Sequence, residues 1–142
     1  MSTTTSIDAA RAWLAQADTD PDHAYRWWLS SPGSVAILPA GRMWDVVELG
    51  PAQADQLAGH PAITGPVIRY DDRDRAFVLV PPGTRDTWTS QLAPCLSEVH
   101  YLSVPDPSRT APPGVHWVIP PDGTGTLTEP ALLAAALAEV AL

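Results

Sequence analysis

Sixteen prolines and nine glycines cut this chain of 142 residues into short pieces. Proline removes a backbone donor and fixes φ, and glycine favours turns, so long helices and long strands are excluded. No apolar run approaches the roughly 18 residues that a membrane span needs. No repeat and no long linker divides the chain. It therefore reads as a single domain over 1–142, with helices in 1–30 and the main body in 31–142.

Between these breaks, periodicity marks the elements. Ser6 caps a first helix, with Asp8 in its first turn and Ile7, Ala10, Leu14 and Ala17 on one face. Asp20-Pro21-Asp22 starts a second helix, buried through Tyr25, Trp28 and Leu29 and ended by Ser31-Pro32-Gly33. Ser34–Leu38 reads as a strand buried on both faces, and it forms a hairpin-like pair with Trp44–Leu49. Gly50-Pro51 opens a short helix carrying Ala54, Leu57 and Ala58. Pro66–Tyr70 and Arg75–Val80 make the clearest hairpin, around Asp71-Asp72-Arg73-Asp74. Asp86–Leu92 is a helical turn with Trp88 inward, and Glu98–Val104 and Val115–Ile119 are two more strands around an exposed loop, 105–114. Thr128 caps a last helix with Pro130 in its first turn and Leu133, Ala136, Leu137 and Val140 on its apolar face. Strands joined by tight turns pair antiparallel. The expected class is α+β, a mainly antiparallel sheet of about six strands covered by helices, with both hairpin pairs in that sheet.

Charge narrows the partners. Eight arginines and no lysine stand against 16 acids, for a net charge of −8. A chain that coats nucleic acid needs the opposite balance. A hydrophobic share of 45% excludes long disorder. One cysteine, Cys95, excludes an internal disulfide and a cysteine-rich zinc site, and its apolar neighbours suit an inert thiol. With no targeting signal at the N-terminus, a reducing cytoplasm is the default location.

The candidate chemistry is thin. Asp71, Asp72 and Asp74 share one turn, and Asp45 and Glu48 flank another strand; carboxylates of this kind hold Mg²⁺. Aspartate also stabilises turns by itself, and residues three apart on a strand point to opposite faces. His23, His60, His100 and His116 make no ligand pair at short spacing; His100 and His116 lie on the two late strands and could meet across a ladder, but two ligands do not make a site. The loop Pro121-Asp122-Gly123-Thr124-Gly125-Thr126 can offer backbone N–H groups to an anion, with Asp122, Gly123 and Gly125 as its candidate contacts. It lacks the lysine of a nucleotide-binding P-loop. Six tryptophans exceed what base stacking would use, so most must be core. Trp27 and Trp28 are adjacent in a helix and cannot both face inward, which leaves Trp27 as a candidate at a groove or interface.

Several segments together resemble a known family. They are SVAILPAGRMWDVVEL from Ser34, Gly65-Pro66-Val67, FVLVPPGT from Phe77, and HWVIPPDGTG from His116. Over roughly residues 30 to 142 the chain resembles short actinobacterial proteins related to the N-terminal domain of bifunctional DNA primase/polymerases. The resemblance implies a primase/polymerase-like core with an RNA-recognition-like sheet, paired metal-binding acids on one strand face and a histidine on another strand. Asp45 and Glu48 are three apart rather than two, and the strand Ala76–Val80 carries no histidine. The expectation is therefore a non-catalytic module that binds a protein partner or a small ligand, needs no cofactor, avoids nucleic acid and spans no membrane. The alternatives are a nucleotidyltransferase using Mg²⁺ at Asp45 and Glu48 or at the Asp71–Asp74 turn, and an accessory enzyme of secondary metabolism.

Overall fold

A computed structural model describes residues 3–31, 33–71 and 74–141. The chain runs α1 (Thr3–Ala15), α2 (Pro21–Ser30), β1 (Val35–Pro39), β2 (Asp45–Leu49), α3 (Pro51–Leu57), β3 (Val67–Tyr70), β4 (Arg75–Val80), α4 (Thr84–Thr87), β5 (Cys95–Leu96), β6 (Tyr101–Pro105), β7 (Val115–Ile119) and α5 (Pro130–Val140). Five strands form one antiparallel sheet in the order β5-β2-β4-β3-β7, and β1 and β6 form a separate antiparallel ribbon. The α+β class with a mainly antiparallel sheet is thus present.

Within the sheet, β2, α3, β3, β4, α4 and β5 follow a strand–helix–strand–strand–helix–strand order. Their spatial order is fourth, first, third, second, which is a split-βαβ arrangement. α4 is a single turn of four residues and cannot cover the sheet. The C-terminal α5 takes that place beside α3, so Leu133, Ala136 and Leu137 pack on Val47, Val78 and Val80. The alternate residues Val46, Ile68, Phe77 and Leu79 face the other way, into a second cluster with Leu14, Trp28, Leu38, Trp44 and Trp117. That face is covered by α1, α2 and the β1–β6 ribbon.

The structure corrects several expectations. β1 and β2 do not pair with each other: Val35 lies opposite Pro105 and Asp45 opposite Val80. The connection between them must carry the fully buried Trp44 from ribbon to sheet, too long a step for a tight hairpin. It passes beneath the Ser97-Glu98 backbone through Gly41, at φ 98, where a Cβ would meet Glu98 N at 3.0 Å. β1 is open on one face, with Ile37 exposed. α1 begins at Thr3, upstream of Ser6, so Asp8 lies beyond its first turn. Leu29 is 88% exposed, and Ala24 takes its place in the buried stripe of α2. α4 ends before Trp88, whose indole N–H donates to Ala93 O at 2.9 Å. The short β5 had no clear period to announce it. The N-cap of α5 is Glu129; Thr128 is buried and its hydroxyl accepts the Gly65 N–H at 3.0 Å. β6 and β7 do not form a ladder, because β7 pairs with β3.

The loop after β6 is also less exposed than its composition suggests. Asp106 is buried and accepts from Arg11 Nε at 2.6 Å and Nη2 at 3.0 Å, tying α1 to the ribbon. Burial pushes the Asp106 carboxyl up, but hydrogen bonds from Arg11 and Ser108 outweigh it and hold it below the usual carboxylate range. A carboxylate with a lowered folded pKa contributes its stability above the unfolded pKa and loses it as pH falls through the folded one. Arg11→Met is therefore expected to destabilise most at pH 7, with the gap to the parent closing as the medium is acidified. Urea melts from pH 7 to pH 2.5 check this, and a gap independent of pH would contradict it.

Candidate functional site

A cleft of about 300 Å³ lies between the sheet and the ribbon. Its floor is built by strand alternation: Glu48 and Val46 from β2, Phe77 from β4, Tyr70 from β3, Val115 from β7 and Leu96 from β5. Its roof is Ala40 and the run His100 to Ser103. The Tyr70 and Phe77 rings are 4.7 Å apart between centroids, tilted at 54°. The Tyr70 hydroxyl accepts the Ser103 N–H at 2.6 Å and so pins the roof to the floor at one end.

Glu48 is the acidic group of the cleft, one-third exposed, with Arg75 Nε 3.6 Å from its Oε2. That is outside hydrogen-bond range, and among the described residues no donor reaches either oxygen. At the other end, Ser97 O accepts the His100 N–H at 3.2 Å, closing a turn with Val99 at φ 66. A β-branched residue is strained in that conformation. The turn leaves Val99 91% and Tyr101 68% exposed beside the cleft. The surface exposed in the cleft is more polar than apolar, with Glu48, His100 and Ser103 set among Val46, Phe77, Leu96 and Val115, and its volume is at the small end for a ligand pocket.

The acids singled out by the sequence do not gather here. Asp45 is fully buried on the opposite face of β2, where it accepts the Arg85 N–H at 3.0 Å and the Ser97 hydroxyl at 2.7 Å. It ties α4 and the Ser97 turn to the sheet, and Glu48 alone enters the cleft. Asp71 and Asp74 are exposed, Asp74 pairs with Arg69, and Asp72 lies outside the described residues. Among the described residues, no three His, Cys, Asp or Glu side chains come together as a metal-binding group.

The 121–126 loop packs on α1. A Cβ on Gly123 would sit 2.6 Å from that of Ala9, and one on Gly125 would sit 3.1 Å from Trp13 Nε1. Both glycines thus serve close packing. Asp122 accepts from Thr124 N at 2.9 Å and Thr124 Oγ1 at 2.6 Å, and these bonds hold its carboxyl below the usual range. Trp27 is half-buried at the edge of the core, 5.7 Å from the His23 ring, with its indole N–H buried and without a partner among the described residues. His100 alone of the four histidines lines the cleft; His116 is buried, with Nδ1 2.9 Å from Gly114 O.

Cys95 is buried next to Asp45, and burial first, then that charge, pushes its thiol up to about 12. Iodoacetamide at pH 8 is expected to label it only after unfolding. Labelling of the folded chain at the rate of a free thiol would contradict this.

Tyr70, Phe77, Tyr101 and Ser103 were not singled out by the sequence. The alternation that puts Tyr70 and Phe77 on one sheet face was legible, but the return of β6 over that face was not. Comparisons of the chain with protein-family models, with curated proteins and with solved structures find no match.

Proposed function

We propose that the protein is a non-catalytic binding module with a primase/polymerase-like core, and that the cleft takes up a small ligand or a segment of a partner protein. The split-βαβ order of β2 to β5 supports the RNA-recognition-like part of this reading. The observation that carries the binding part is the one-third-exposed Glu48 carboxylate on a floor with Tyr70 and Phe77, which Arg75 approaches only to 3.6 Å and which accepts no hydrogen bond among the described residues. Tyr70 and Phe77 would hold a flat or apolar group, and Glu48 would receive a donor or a cation. Metal-assisted nucleotidyl transfer would need two carboxylates converging on one point, whereas Asp45 and Glu48 lie on opposite faces of β2.

Nucleic acid fits poorly for a second reason. Sixteen acids outnumber eight arginines, and Arg11, Arg26 and Arg69 each pair with a carboxylate, so phosphates meet a net charge of −8. No shift of single- or double-stranded DNA is expected at about 150 mM salt, where a protein depends on many phosphate contacts.

A thermal-shift screen of small molecules tests the reading. Compounds that stabilise the parent chain should fail on Leu96→Trp, which fills the cleft, while the variant keeps a cooperative melt. Stabilisers equally active on both proteins would overturn the reading. So would nucleotide incorporation with Mg²⁺ or Mn²⁺ that Glu48→Gln abolishes.

A further inference from the structure

The roof of the cleft is a strand edge. Ala40 N–H donates to His100 O at 2.9 Å and Asp106 N–H to Ser34 O at 2.8 Å, so these two pairs are the bonded kind. Bonded and non-bonded pairs alternate in an antiparallel ladder. In this register Leu38 with Leu102 and Ala36 with Val104 are also bonded, and Pro39 with Tyr101 and Ile37 with Ser103 are not. Tyr101 and Ser103 therefore aim their N–H and C=O groups away from β1.

Most of that edge is already used. The Ser103 N–H goes to the Tyr70 hydroxyl, Pro105 has no N–H, and Pro105 O accepts the Trp117 indole at 2.8 Å. Tyr101 N–H, Tyr101 C=O and Ser103 C=O have no partner among the described residues. They sit on a strand whose residues 101 to 103 line the cleft. An open edge of this kind is a template for an added strand.

We propose that the cleft binds a short extended peptide, which pairs with β6 at Tyr101 and places a basic side chain against Glu48. This rests on the cleft being a binding site, and it names the ligand class. One peptide residue would exchange both backbone hydrogen bonds with Tyr101. Side chains alternate along a strand. That residue would point outward beside Tyr101, and its two neighbours would point inward, as Leu102 does. An inward basic residue meets the Glu48 carboxylate, which Arg75 approaches from one side at 3.6 Å without a hydrogen bond, while the chain's net charge of −8 favours a cationic segment over an acidic one. The Tyr70–Ser103 bond limits the pairing to a short stretch. Exposed Val99 and Tyr101 provide apolar contact at the open end.

Capped pentapeptides with lysine at the second position test this by calorimetry against the full chain. Norleucine in place of lysine is expected to weaken binding about tenfold, as loss of a charge-assisted hydrogen bond does. Glu48→Gln should remove that difference. N-methylation of the amide facing Tyr101 should cost about tenfold or more, and methylation of either neighbouring amide far less. Tyr101→Pro removes the edge N–H without touching the β1 ladder, so it should keep its melt and lose the peptide, whereas Tyr101→Ala keeps that N–H, loses only the ring's apolar contact and should bind the peptide far more tightly than Tyr101→Pro. Peptide affinity indifferent to N-methylation and to Tyr101→Pro would overturn strand addition while leaving a ligand-binding cleft. Small molecules that bind the cleft when no peptide does would overturn the peptide but not the cleft. Failure of both classes would overturn both, and an oligonucleotide competing at the cleft would overturn the peptide proposal.

Discussion

A chain ended after Glu129 is expected to lose its cooperative unfolding transition. Without α5, the sheet face beside α3 lies open at Val47, Val78 and Val80. Leu133 and Leu137 are at most 1% exposed, and burying a leucine contributes roughly 1.5–3 kcal/mol. The uncovered sheet residues add a similar loss, and together these approach the 5–15 kcal/mol or so that holds a domain folded. α4 is too short to substitute. The cut spares Thr128, whose hydroxyl holds Gly65, so the effect belongs to the helix. Circular dichroism melts and dye binding to exposed apolar surface decide the matter. A truncated chain that melts cooperatively within about 1 kcal/mol of the parent would contradict this packing.

Trp117→Ala is expected to cost about 3–5 kcal/mol, as large aromatic truncations in a packed core do. Its side chain is fully buried and its N–H holds Pro105 O, joining the edge of the sheet to the end of the ribbon. Trp44→Ala should cost a similar amount, because Trp44 is equally buried. The phenylalanine variants separate the two. The Trp44 N–H is buried without a partner among the described residues, so Trp44→Phe removes an unsatisfied donor and recovers most of the loss. Trp117→Phe leaves Pro105 O without its donor and recovers less. Urea melts of the four variants give the comparison, and equal recovery at both positions would contradict the hydrogen-bond assignment.

Local features of the sequence translated well where local physics decides them. Asp20-Pro21 starts α2 and Pro130 enters α5, because proline suits a first helical turn. The Val67–Tyr70 and Arg75–Val80 strands alternate and share a four-residue turn, so their pairing needs no information from elsewhere. The opposite placement of Asp45 and Glu48 followed from the period of two. The partner of β1 was hidden, because β6 lies more than 60 residues away and nothing local distinguishes it from β2. The same distance hid the cleft, whose roof is the return of β6 over a floor drawn from β2, β3, β4, β5 and β7. Thr128 read as a cap because hydroxyls favour that place, yet the close approach of Gly65, with room for no side chain, took its hydroxyl. Asp122, Gly123 and Gly125 read as an anion loop because spacing does not reveal that α1 fills the space in front of them.

An amide shift map of the ¹⁵N-labelled chain at saturating ligand tests binding in the cleft between sheet and ribbon most directly. The ligand is whichever small molecule or lysine peptide stabilises the parent chain. The largest changes should fall at Glu48, Tyr70, Phe77, Leu96, Tyr101 and Ser103, with the Tyr101 amide protected from exchange when the ligand is a peptide. Largest changes at the Asp71–Asp74 turn or the 121–126 loop, with those six amides unmoved, would contradict it.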